Sequence, residues 1–217
     1  MPDERFAAER DAMVRQQLLP RGIHDQRLLD AMRRVPRHEF ISPDRWQQAY
    51  ADHPVIIPEQ QTTSQPYIIA AMIQGAEIKP QDRVLEVGAG SGYQTALLAE
   101  LASQVVAIER YHSLAETAQA TLRRLGYTNV AVVVGDGTLG WAPAAPYDAI
   151  IVSAAAPRVP PALLEQLAIG GRLIIPVGDA HDQVLQLFRK HPDGAVSRTL
   201  LEGCRFVPLI GHDGFAA

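Results

Sequence analysis

Apolar positions in the first third of the chain recur at helical spacing, whereas beyond residue 82 they gather into short unbroken runs. The first periodic stretch, Ala7 to Leu19, is closed by Pro20-Arg21-Gly22. A second, Asp25 to Val35, opens on a residue suited to an N-cap and stops at Pro36. Neither alternates as a half-buried strand would. The later runs predict strands at 83–87, 104–109, 130–134, 148–152 and 172–177, separated by helices near 93–101, 113–125 and 161–168. Within the first of these helices, Gln94 to Leu101 reads as amphipathic. Pro160-Pro161 opens the last helix and Gly170-Gly171 is expected to close it. Two further strands, 183–189 and 198–207, flank the turn His191-Pro192-Asp193-Gly194 and predict an antiparallel hairpin at a sheet edge. The order implies an α/β fold: a doubly wound, mostly parallel sheet of about seven strands. A boundary near Lys79-Pro80 separates an N-terminal helical region, 1–79, from a core, 80–217, the two forming one structural domain.

Composition narrows the function classes. With 217 residues and 47% apolar content, the chain can bury a full core. A net charge of −4 with pI near 6.0 argues against a dedicated nucleic-acid surface. No apolar run reaches membrane-span length, and Met1-Pro2-Asp3-Glu4-Arg5 lacks the plan of a signal peptide, so a cytoplasmic location is expected. Cys204 stands alone, which excludes an internal disulfide and makes a buried apolar role its default. The seven histidines show no ligand spacing, and no metal is expected.

The strand Val84-Leu85-Glu86-Val87 runs straight into Gly88-Ala89-Gly90-Ser91-Gly92 and then a helix. Glycines there accept φ > 0 and let a ligand approach the backbone amides at a helix N-terminus. A dinucleotide site reads G-x-G-x-x-G. Gly-x-Gly-x-Gly with Glu86 two residues ahead matches S-adenosylmethionine sites instead, although any tight glycine turn shares these residues. Glu109 ends the next strand about twenty residues on, where a carboxylate can accept both ribose hydroxyls or simply mark a strand end. Gly135-Asp136-Gly137 follows the third strand; Asp136 could meet an adenine amino group, or the triplet could be an ordinary turn.

The segment Gln61-Thr62-Thr63-Ser64-Gln65-Pro66-Tyr67 places three hydroxyl residues before an apolar helix. Thr63 or Ser64 as N-cap accounts for it, and such a helix start can also hold a carboxylate.

These residues bring a resemblance into view. Val35-Pro36-Arg37-His38-Glu39-Phe40, Gln61 to Tyr67, Leu85 to Thr95 and Gly135-Asp136-Gly137 match one family in order, as do Asp148 to Ala155, Gly170 to Gly178 and Arg205-Phe206-Val207-Pro208-Leu209. The chain resembles the protein-L-isoaspartate O-methyltransferase family over nearly its whole length. The glycine loop would indicate only a methyltransferase; the Thr-x-Ser-x-Pro segment and the Arg-Phe-Val-Pro-Leu ending are specific.

The resemblance implies a Rossmann-like methyltransferase sheet, S-adenosyl-L-methionine as methyl donor and, as acceptor, the α-carboxylate of isoaspartyl residues in damaged proteins or peptides. It places the active-site serine at Ser64 and the cofactor at Glu86, Gly88, Gly90, Gly92, Glu109, Asp136 and Gly137, with Thr62 and Thr63 beside it. Val207, Pro208 and Leu209 match the stretch that closes over the substrate. A monomer is expected, with neither nucleic acid nor membrane as partner. Three positions depart from the family pattern: Pro58 and Gln60 replace glycines, and Thr63 stands where isoleucine is usual. If the glycines were left-handed, Pro58 and Gln60 would force another loop path. The alternatives are a methyltransferase of the same fold with another acceptor, an inactive cofactor-binding partner protein and, weaker, an NAD oxidoreductase.

Overall fold

The computed structural model describes residues 2–216. Seven strands form the central sheet in the order β5-β4-β3-β6-β7-β8-β9. These are β3 (Arg83–Val87), β4 (Gln104–Glu109), β5 (Val130–Val134), β6 (Tyr147–Val152), β7 (Leu167–Gly178), β8 (Gln183–Lys190) and β9 (Val196–Cys204). The first five are mutually parallel, while β8 and β9 run antiparallel as the expected edge hairpin. A separate two-stranded hairpin, β1 (Val55–Ile56) with β2 (Thr62–Thr63), precedes the sheet and has no counterpart among the elements expected from the sequence.

Because successive strand residues point to opposite faces, each face builds its own core. Val84, Val105, Ala149, Ile151 and Ile174 join the cluster beneath the N-terminal helices; Leu85, Val87, Ile108, Ile150, Val152 and Leu173 join the other. Both faces are covered, and the central strands accordingly read as unbroken apolar runs.

The N-terminal region comprises α1 (Pro2–Met13), α2 (Gln26–Arg34) and α3 (Pro66–Ala76). α1 continues through a π turn at Val14–Leu18 and a 3₁₀ turn to Gly22, whose φ of +85° ends it. Asp25 caps α2 as expected, its carboxylate accepting from the amides of Arg27 and Leu28. α2 packs on α4 (Tyr93–Leu101), which is buried on nearly every side and is not the amphipathic helix expected. On the same face, α5 (His112–Arg124) follows β4, with Leu114 and Leu122 in the same cluster.

Several boundaries differ from expectation, β9 among them, which ends at Cys204 and not at 207. The helix placed at 161–168 is α6, Pro161–Glu165 only, because Leu167 already pairs with Tyr147 in the sheet. Gly170-Gly171 therefore lies within β7, at the irregularity between the Tyr147 and Ala149 pairings, and closes no helix. Past the bulge, Arg172 is buried against Asp82 at 2.5 Å and also donates to the carbonyls of Ala76, Glu77 and Asp148. It ties the end of α3 to the sheet.

Candidate active site

The chain builds outward from β3 to β5 on one side and from β6 to β9 on the other, so a crevice opens between the loops that follow β3 and β6. Gly88, Gly90 and Gly92 take φ of +88°, +54° and +90°, a path that only glycine follows cheaply. A Cβ on Gly88 would stand 3.6 Å from that of Ser153, just past β6, and one on Gly92 would stand 3.1 Å from that of Ala118 in α5. The first glycine thus faces the opposite lip of the crevice and the third lets α4 pack on α5.

The acidic residues divide the work differently. Glu109 is buried, with Oε2 accepting from Gly90 N and Oε1 from Tyr111 N, both at 2.9 Å. It shapes the loop, and each oxygen keeps a second lone pair for a ligand. Glu86 is fully buried beneath the loop and accepts from Gln94 Nε2 at 3.0 Å and Thr95 Oγ1 at 2.5 Å. Burial pushes its carboxyl up to about 8, against the pull of those two donors. Asp136 accepts from the amide and hydroxyl of Thr138 through Oδ1 and from His212 N through Oδ2. Burial opposes ionisation, yet these donors hold the carboxyl below its ordinary value. Asp136 lies with Arg110, Ile210 and Phe215 at the outer end of the crevice, where it clasps the C-terminal segment.

Three adjoining clefts meet here. The first cleft, with roughly 550 Å³ of empty space, has Val87, Gly88, Gly90, Ile108, Glu109, Gly137 and Val207 to Ile210 in its walls. A Cβ on Gly137 would collide with Val87, so its wall is as thin as a backbone allows. Apolar walls, an acidic strand end and a glycine-lined floor suit a nucleoside with a polar tail. The second cleft lies between Ser64, Gln65 and Tyr67 on one side and residues 202–207 on the other. A small inner cleft joins Thr62, Thr63 and Ser64 to Glu86, Gln94 and the glycine loop. Among the described residues, Thr62 and Ser153 alone line all three.

Ser64 is not an N-cap, and neither is Thr63. Gln65 holds the cap position of α3 without a side-chain bond, and Pro66 follows in the first turn. Ser64 is half-buried between the second and inner clefts, while Thr63 is buried and Thr62 exposed. Their backbone is fixed from two sides. Arg37, fully buried, donates to the carbonyls of Ala49 and Ser64 at 2.8 and 2.9 Å, and Asp52 accepts from Gln65 Nε2 and Tyr67 N. Burial draws the Arg37 guanidinium below its ordinary value, offset in part by Tyr93. Val207, Pro208 and Leu209 cross the crevice mouth, stitched to Ala155 through Ala155 N to Val207 O and Leu209 N to Ala155 O.

The loop at 57–61 keeps a left-handed turn without glycine: Glu59 and Gln60 have φ of +59° and +56°. The altered path expected for Gln60 is therefore not forced. Ser113 Oγ donates to Glu59 at 2.6 Å and helps to hold it. Cys204 is half-buried beside the second cleft and not a core residue. Arg37, Asp52, Gln94 and Ser153 are site residues beyond those expected from the sequence; all but Asp52 lie inside the quoted motifs, where a charged, amide or hydroxyl side chain is the available signal.

This sheet, with its glycine loop and strand-end acid, defines a Rossmann-like S-adenosylmethionine-dependent methyltransferase. Residues 8–214 match the family described as protein-L-isoaspartate(D-aspartate) O-methyltransferase, and the chain belongs to that family. It is 53% identical over 211 residues to the protein-L-isoaspartate O-methyltransferase of Koribacter versatilis, covering 97% of this chain and 95% of that one. It is 52% identical over 210 residues to protein-L-isoaspartate O-methyltransferase 1 of Syntrophobacter fumaroxidans, covering 97% and 98%. A solved protein-L-isoaspartate O-methyltransferase superposes with a TM-score of 0.85 at 30% identity, covering 94% of this chain and 67% of that one. A Plasmodium falciparum protein assigned to the same family, solved in complex with S-adenosyl-L-homocysteine, gives a TM-score of 0.81 at 27% identity, covering 93% and 98%.

Proposed function

We propose that this protein transfers a methyl group from S-adenosyl-L-methionine to the free α-carboxylate of L-isoaspartyl residues in damaged proteins and peptides, the step that begins their repair through a succinimide. The observation that carries the reading is the hydroxyl segment Thr62–Ser64, shared between the cleft suited to the donor and a second cleft open to a peptide. Glu109, the glycine loop and the walls at Val87 and Ile108 would hold the cofactor, with Gly137 thinning one side.

The bound donor supplies an electrophilic methyl on a sulfonium, so the C–O bond forms as the C–S bond breaks, the electron pair leaves with sulfur, and no proton moves. A carboxylic acid with a pKa near ~4 is ionised at neutral pH, so the protein has no base to supply. What its residues contribute is position, which can lower the barrier by several kcal/mol on the order of effective-molarity gains. Ser64 orients the acceptor carboxylate as a hydroxyl donor and is no nucleophile. Opposite charges cancel during transfer, so the cover formed by Val207, Pro208 and Leu209 favours the reaction by excluding water.

Labelled S-adenosylmethionine and an isoaspartyl peptide test the reading. It predicts a labelled methyl ester that base releases as methanol; bound cofactor without transfer overturns it.

A further inference from the structure

Ser153 stands where the lip that follows β6 meets the start of the glycine loop, its Cβ 3.6 Å from where a Cβ on Gly88 would lie. It follows β6 directly, its amide donates to Val87 O at 2.8 Å, and with Thr62 it borders the donor-side, acceptor-side and inner clefts. Its hydroxyl is already committed in one direction. Gln94 Nε2 donates at 3.0 Å to Glu86 Oε1 and at 2.8 Å to Ser153 Oγ. Both amide hydrogens are thereby used, and Ser153 Oγ is the acceptor of the second. A serine hydroxyl that accepts one bond still has its own hydrogen to give, and no acceptor for it exists among the described residues. A half-buried donor with no partner at the meeting point of the clefts is matched by a carboxylate oxygen.

We propose that Ser153 is a second hydroxyl donor to the acceptor carboxylate, aimed by Gln94, so that Ser64 and Ser153, which both line the second and inner clefts, hold the acceptor together. The inference rests on the acceptor being a carboxylate as proposed above. Two donors define the plane of a carboxylate where one leaves it free to rotate, and this bears directly on which oxygen faces the methyl group.

Ser153→Ala and Ser153→Thr separate the roles. Binding is measured calorimetrically for S-adenosylhomocysteine alone and then for an isoaspartyl peptide added to the saturated complex. Ser153→Ala should weaken peptide binding about tenfold or more, the scale of a hydrogen bond to a charged group, and leave S-adenosylhomocysteine within about twofold. Ser153→Thr should restore peptide binding. Peptide affinity unchanged by Ser153→Ala, or an equal loss for S-adenosylhomocysteine, overturns the proposal and leaves the proposed reaction standing. No peptide binding by the unaltered protein overturns the reaction itself.

Discussion

The guanidinium of Arg37 donates to the carbonyl of Ser64 at 2.9 Å from a fully buried position 27 residues earlier in the chain. Its other amino group holds Ala49 O, so one planar fork fixes the segment that faces the acceptor. Arg37→Lys keeps the charge but cannot span both carbonyls. The expected outcome is roughly a tenfold fall in kcat with S-adenosylhomocysteine affinity nearly unchanged, and a loss of about 1–2 kcal/mol in urea unfolding. A kcat equal to the parent's, assayed well below the unfolding temperature, would reduce Arg37 to a purely structural residue.

Ser64→Ala removes the orienting hydroxyl and no backbone bond, since Arg37 grips the carbonyl. Methyl transfer should slow about ten- to a hundredfold, while cofactor affinity and unfolding midpoint stay close to the parent's. Loss of cofactor affinity, measured by calorimetry, would place Ser64 on the donor side instead.

Glu86 gives the protein a stability that depends on pH. Burial raises its carboxyl from the ordinary 4.5 to about 8. Between those values the folded state holds a proton that the unfolded chain has released, so stability falls as pH rises through this window and levels off above it. Glu86→Gln mimics the protonated form. Thermal melts of the cofactor-free protein from about pH 5 to about pH 8 should show the variant gaining on the parent as pH rises. Parallel curves would mean that Glu86 ionises normally.

Gln60 sits at φ +56° in the turn joining β1 to β2. A left-handed conformation costs a residue with a Cβ roughly 1–2 kcal/mol, and glycine gives back about 0.5–1 through greater freedom when unfolded. Gln60→Gly should therefore stabilise by about 0.5–1 kcal/mol in urea unfolding and Gln60→Ala should not.

Much of this was readable in the chain because buried parallel strands leave apolar runs with few alternatives: β3, β4 and β5 fall where the runs predicted them. The glycine loop was equally legible, since Gly88, Gly90 and Gly92 each need positive φ. Legibility ended where tertiary pairing decided. Leu167 to Gly171 has a helical flank and a glycine stop, yet pairing with Tyr147 draws it into the sheet. Gln60 has no intrinsic preference for its conformation, and only the hairpin imposes it. The roles of Arg37 and Ser153 depend on atoms brought together from 27 and 59 residues away, which no local pattern encodes.

The central claim is that the second cleft selects an isoaspartyl carboxylate for methylation. Two peptides of one sequence, differing only in an isoaspartyl or aspartyl linkage at a single position, are mixed in equal amounts with the protein and labelled S-adenosylmethionine, then separated and counted. Methyl ester should appear on the isoaspartyl peptide and essentially none on its partner. Equal labelling of both, or labelling of neither while the cofactor is bound, would contradict it.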